Sequence, residues 1–427
     1  MKKIYEDLLS FLWRTRKFPH PARTSDGQSL KVIHPGILNN DSGPDFFGAR
    51  VEIGDTVWAG NVEIHVKSSD WLKHGHQNNP AYHSVILHVV YEHDMEITRQ
   101  SQIIPVLEMK EFISQNLIDT YYALLASAAW IPCNNNLKDI RNISIKPWLS
   151  ILIEERLTRR TTQIRDLFAA NAMNWEESFY QWLASYMGFN LNNEAFLILA
   201  RSIPLKILMK HKNSKFQVES LLFGQSGLLF SAINDEYSIS LKKEYSFLAR
   251  KYDLTPLQPT VWKFMRTRPG NFPTIRIAQF ADILTRISSL LSEILGNANS
   301  VAIRKNLSTE VSPFWHNHYQ FGKPLEKQHP NSIGKQGIDN LIINAVVPFI
   351  YLYGKFHDNQ THWEKGLRIL KQMEPENNII IRNWGKLNIK VENASESQAL
   401  IELYKTYCTP KRCLSCSIGA TLLPDVH

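Results

Sequence analysis

From residue 3 to residue 15 the apolar positions Ile4, Leu8, Leu9, Leu12 and Trp13 recur every three to four residues. That is the period of one helix face, and it predicts an amphipathic helix. A loop rich in Pro, Ser and Gly follows, and the period then shortens. LKVIHPG at 30–36, FFGARVEI at 46–53, TVWAGNVEIHVK at 56–67 and SVILHVVYEH at 84–93 read as strands, with IIPVLEM at 103–109 as a further one. Gly54-Asp55 is a tight-turn signal, so the second and third strands are expected to form a hairpin. SSDWLKHG at 68–75 opens on helix-capping residues and predicts a short helix. From about residue 115 the helical period takes over. It runs through 112–130, 145–172 and 177–189, with further helices expected at 193–211, 216–232, 238–251, 274–296 and 338–356. No fixed-period repeat and no low-complexity tract interrupts it.

This order predicts an α+β protein. Residues 1–115 would form an α/β-like core with a mixed sheet, and 116–427 a mainly helical domain carrying the C-terminal cysteines. The length of 427 residues favours more than one core. With 44% hydrophobic and 21% charged residues the composition is that of a globular protein. The net charge of +8 favours an anionic partner such as nucleic acid. Glu6 and Asp7 interrupt the first apolar segment, so no secretory signal is expected. The apolar run at 341–354 is short for a bilayer and holds Asn344 and Pro348, so it is read as a buried helix and no membrane partner is expected. Four cysteines are too few for a disulfide scaffold, which fits a cytoplasmic protein.

The chemistry concentrates in residues 41–67, DSGPDFFGARVEIGDTVWAGNVEIHVK. Asp45 follows Pro44 at a strand entrance. One hairpin later, strand alternation puts Glu63, His65 and Lys67 on one face. Carboxylates on adjacent strands with a nearby lysine resemble the PD-(D/E)xK nuclease arrangement. In that reading Asp45 and Glu63 hold Mg²⁺ or Mn²⁺, His65 assists, and Lys67 serves the attacking water. Glu6 is an extra candidate carboxylate. The acid-x-lysine motif is imperfect, because His65 stands two before Lys67 while Glu63 stands four before it. The alternative is an exposed face on a half-buried strand. His65, His74, His76, His83, His88 and His93 are six of the chain's 15 histidines, and such a cluster suits a transition metal. His88 between Leu87 and Val89 reads as a core residue. His74 and His76 read as ligands, phosphate donors or general acids, or as plain loop residues.

Cys408, Cys413 and Cys416 form a C-x₄-C-x₂-C group, and Cys133 is the candidate fourth ligand of a zinc or iron–sulfur site. Buried thiols without metal are the alternative. Some PD-(D/E)xK exonucleases carry an iron–sulfur staple of one distant and three C-terminal cysteines, which this pattern resembles. Arg266, Arg268 and Arg276 surround a Pro-Gly-Asn turn before a helix. Arg159 and Arg160 belong to a basic stripe with Arg156 and Arg165. Both groups are candidate nucleic-acid contacts, with pairing to nearby acids as the alternative. No phosphate-binding Walker motif, Rossmann fingerprint or hydrolase elbow occurs.

GPDFFGARVEI, GNVEIHVKSSDWLKHGH, RPGNFPTIRIAQFA and CLSCSIG together resemble a bacterial family known as domain of unknown function 2851, over nearly the whole chain. The PD-(D/E)xK resemblance is confined to about the first hundred residues, and it implies a restriction-endonuclease-like core and metal-dependent phosphodiester cleavage. The competing expectation is a non-catalytic nucleic-acid-binding or scaffold protein with a degenerate nuclease core.

Overall fold

The structure, a computed structural model, describes residues 5–39, 41–99, 102–136, 145–230, 235–296 and 299–424. The chain is α+β and divides into two compact units. Unit 1 comprises 1–148 and 401–427, and unit 2 comprises 149–400. Residues 401–427, grouped with the helical domain on sequence, therefore belong with the sheet. Contacts that bring them there span hundreds of residues, which local periodicity does not record.

Unit 1 opens with helix α1 (Glu6–Thr15), which buries Leu8, Leu9, Phe11, Leu12 and Trp13. Acidic residues in its first turn and Arg14 in its last complement the helix dipole. Next come β1 (Ala22–Arg23), β2 (Ser29–His34), β3 (Ile37–Leu38), β4 (Phe46–Ile53) and β5 (Thr56–Lys67). The short helix α2 (Asp70–Lys73) and two 3₁₀ turns lead to β6 (Val85–Glu92). The pair β7 (Thr98–Arg99) and β8 (Gln102–Ile103), strand β9 (Val106–Glu108) and helix α3 (Gln115–Ala126) follow.

The main sheet runs β1-β2-β4-β5-β6-β9, with β3 also paired to β4. The pairings up to β5 are antiparallel, whereas β5–β6 and β6–β9 are parallel, so the sheet is mixed. The Ser25 amide donates to the Val106 carbonyl at 2.8 Å. The chain leaving β1 thus meets β9, and the sheet is nearly closed.

Strand β5 changes partner along its length. Its first half pairs with β4 and its second half with β6. The register slips beside Phe46–Ala49 on one side and beside Asn61–Val62 on the other. Such bulges re-aim side chains. Residues 62–65 are all buried, so both faces of β5 are covered there. The half-exposed strand considered on sequence is not what forms. Strand β6 is buried along nearly its whole length, as suits a strand paired on both sides and covered on both faces.

Among its described residues, unit 2 has helices and a two-stranded pair, His318–Gln320 with Lys323–Pro324. The expected 193–211 helix is broken at Pro204 into Asn193–Ser202 and Leu205–His211. The expected 274–296 helix is divided into Pro273–Leu284 and Ile287–Leu295. Every residue of Pro273–Leu284 is buried. The segment Lys335–Phe356 contains a π-helical turn at Ile342–Val346. It is long and apolar enough to cross a membrane, and 78% of its most apolar window is buried inside the protein.

Candidate metal centre

Asp45 precedes β4 and Glu63 lies where β5 is covered on both sides. The two residues brace each other through the backbone. The Asp45 amide donates to Glu63 Oε2 at 3.1 Å, and the Ile64 amide donates to Asp45 Oδ2 at 2.9 Å. Glu6 comes from the start of α1 and accepts from the Val66 amide. Three carboxylates, from the start of α1, the approach to β4 and β5, therefore converge.

The histidines arrive from the other side. His65 Nδ1 lies 2.9 Å from His88 Nε2, and His65 Nε2 lies 3.0 Å from His74 Nδ1. His76 Nε2 is 3.2 Å from Glu63 Oε1 and His65 Nε2 is 3.6 Å from the same oxygen. The His76 ring stacks on Tyr82 at 3.8 Å, and Trp71 packs edge-on against it. Trp71 and Tyr82 belong with Val85, Ile97 and Ile104 to a buried apolar cluster that backs the site. Exposure increases outward: Glu63 and His65 are buried, Asp45 and His76 half-buried, and His74 exposed.

Burial and mutual repulsion set the charge state. Burial, then the neighbouring Asp45 charge, pushes the Glu63 carboxyl up to about 9. Burial, opposed by the Ile64 amide and reinforced by Glu6 and Asp7, raises Asp45 to about 6. Burial lowers His65 to about 2, His76 to about 4 and His88 to about 3, with neighbouring imidazoles adding to each. At neutral pH these rings are neutral and offer lone pairs. One ligand nitrogen from each of His65, His74 and His76 falls within 4.8 Å of the others. The His76 Nε2 atom, buried and without a hydrogen-bond partner, faces Glu63. Imidazole nitrogens beside crowded carboxylates, one of them an orphan, form a donor set that fits a divalent transition metal.

Of the residues singled out on sequence, Asp45, Glu63 and His65 come together with Glu6. Lys67 does not join them. Its Nζ lies 3.5 Å from Glu92 and 4.0 Å from Asp94, at the exposed end of β5. The sequence treated His74 and His76 as ligands or loop residues alike. Their convergence depends on the α2 crossover folding back over β5, and the compact HGH spacing was the available signal. His93 instead shares a 2.7 Å contact with Ser68 Oγ.

The arginine candidates divide likewise. Arg276 is buried, stacks over Phe189 at 3.8 Å, donates to Gln279 Oε1 at 2.8 Å and bonds Asn271. Its helix is buried all round, so this guanidinium serves the interior. Arg160 donates to Tyr186 at 2.8 Å and to Asn344 at 3.3 Å. Arg159, Arg266 and Arg268 are exposed.

Cys133, Cys408, Cys413 and Cys416 are all free thiols, buried in unit 1.

No curated protein and no solved structure matches the chain. A family model described as a protein of unknown function, DUF2851, matches residues 6–379. The chain belongs to that family.

Proposed function

We propose that this protein is a metal-dependent nuclease that hydrolyses phosphodiester bonds in nucleic acid. The observation that carries the reading is the mutual bracing of Asp45 and Glu63 beside His65, His74 and His76. Asp45 and Glu63 would supply the carboxylate oxygens, and the three imidazoles the nitrogens, from which the metal's ligands are drawn. Mn²⁺ suits so nitrogen-rich a site better than Mg²⁺. When bound, such an ion supplies Lewis acidity and a water acidified toward neutral pH.

The helix–hairpin–short helix–strand order of α1, β4, β5, α2 and β6 is compatible with a restriction-endonuclease-like core. In that comparison Glu63-Ile64-His65 takes the place of acid-x-lysine, so the motif ends two residues before Lys67. A neutral His65 adds no positive charge. Burial leaves it a poor base, so it would serve as a nitrogen ligand, with His74 Nδ1 3.0 Å away. Glu6, close to Asp45 and Glu63, would offer a third carboxylate to the ion. Trp71 and Tyr82 fix His76 and keep water from its inner side. The net positive charge favours a polyanionic substrate, with Arg159, Arg266 and Arg268 as candidate backbone contacts.

A second reading, nucleic-acid binding without turnover, is favoured by one observation: Lys67 is turned toward Glu92 and Asp94 instead of the carboxylates. One assay separates the two. Labelled single- and double-stranded DNA and RNA are incubated with protein in Mn²⁺, Mg²⁺ or EDTA. The nuclease reading expects Mn²⁺-supported cleavage, abolished by Glu63→Gln. Folded, metal-loaded protein that binds these substrates but cleaves none supports the second reading and overturns the first.

A further inference from the structure

The chain's four cysteines meet although all of unit 2 lies between Cys133 and the other three in sequence. Each sulfur lies within electrostatic reach of others in the group. Cys133 feels Cys413 and Cys416, and Cys408 feels all three of its companions. All four are reduced and buried.

Burial raises all four thiols above the ordinary cysteine range, and at Cys416 a set of donors opposes it. The backbone amides of Ile418 and Gly419 donate to Cys416, and the Trp148 indole N–H, which has no other acceptor, is turned toward the same sulfur. Donors of this kind stabilise a thiolate much more than a thiol. Gly419 has no room for a side chain, since a Cβ there would lie 2.3 Å from the Cys413 carbonyl oxygen. Cys408 ends a π-helical turn, Leu403–Cys408, a geometry frequent at functional positions. Lys411 donates to the carbonyls of Leu125 and Ser127 at 2.5 and 3.0 Å, tying the C-terminal segment to the end of α3.

Sequence spacing discriminates between occupants. Cys408, Cys413 and Cys416 stand as C-x₄-C-x₂-C with the fourth cysteine distant in the chain, a ligand spacing of iron–sulfur sites. Structural zinc sites instead draw their ligands from paired C-x₂₋₄-C knuckles or from cysteine–histidine pairs.

We propose that Cys133, Cys408, Cys413 and Cys416 hold an iron–sulfur cluster that fastens the C-terminal segment to the rest of unit 1. The cluster would replace the four thiol protons and be held by four thiolates. It is independent of the nuclease reading.

The test is the metal content of full-length protein purified without oxygen. Iron and acid-labile sulfide are expected in equal amounts, about two to four of each per chain, with visible charge-transfer absorption. Cys133→Ser and Cys413→Ser should each lose the cluster, while Glu63→Gln should keep it. Zinc without iron and sulfide, or no metal at all, overturns the proposal in the wild type alone, whatever the variants' folding. Full iron content in both cysteine variants overturns it as well.

Discussion

At the scale of single residues, the candidate site turns on which side chains reach it. Glu63→Gln removes a ligand charge while keeping shape, and should abolish Mn²⁺-dependent cleavage. Lys67→Ala should leave cleavage near the wild-type rate, because the ammonium group serves Glu92 and Asp94. Cleavage assays on both variants check this contrast. Glu219 offers a separate test in unit 2. Burial raises its carboxyl above the ordinary value of 4.5, even though Tyr237 and Ser312 donate to it. The folded protein therefore holds this proton more tightly than the unfolded chain. The resulting stability is complete below about 4.5 and is lost as pH rises through the folded value. Denaturant midpoints of Glu219→Gln should decline less than those of wild type over that rise. Asp45, Glu63 and His65 were legible because proximity along a hairpin is written in the chain. Lys67 was misplaced because alternation specifies a face and not a distance along it. Arg276 was misread because three nearby arginines suggest a surface, whereas its helix has no exposed side.

At the scale of elements, the hairpin of β4 and β5 was legible to the residue, since Gly54-Asp55 and the flanking alternation agree. The change of partner within β5 was not, because nothing local distinguishes an antiparallel from a parallel neighbour. That change brings backbones close at Gly60. A Cβ there would lie 2.4 Å from Ile86 Cγ2 and 2.5 Å from the Ser84 carbonyl oxygen. Gly60→Ala should therefore destabilise unit 1 by about 1–3 kcal/mol, the usual range for overpacking, as measured by urea denaturation. Metal binding should weaken in the same variant, since Glu63 is three residues away on the displaced strand.

At the scale of the whole molecule, the sheet-then-helix plan was readable from periodicity, and the return of the C-terminus to unit 1 was not. Arg14 donates to the Leu414 carbonyl at 3.2 Å, and Trp130 stacks on Tyr404 at 4.8 Å. Deleting residues 401–427 should therefore strip hydrogen-exchange protection from α1 and α3 while helix Pro273–Leu284 keeps its own. Unchanged protection in α1 would show that the segment is dispensable. This discontinuity also orders events on the ribosome. Domains form as they emerge during synthesis, yet unit 1 begins the chain and lacks its last piece until translation has passed residue 400. Unit 2 is thus free to fold first, and a prematurely terminated product carries the first cysteine without its three companions. Completion of unit 1 then becomes a chemical mark that translation has passed residue 416.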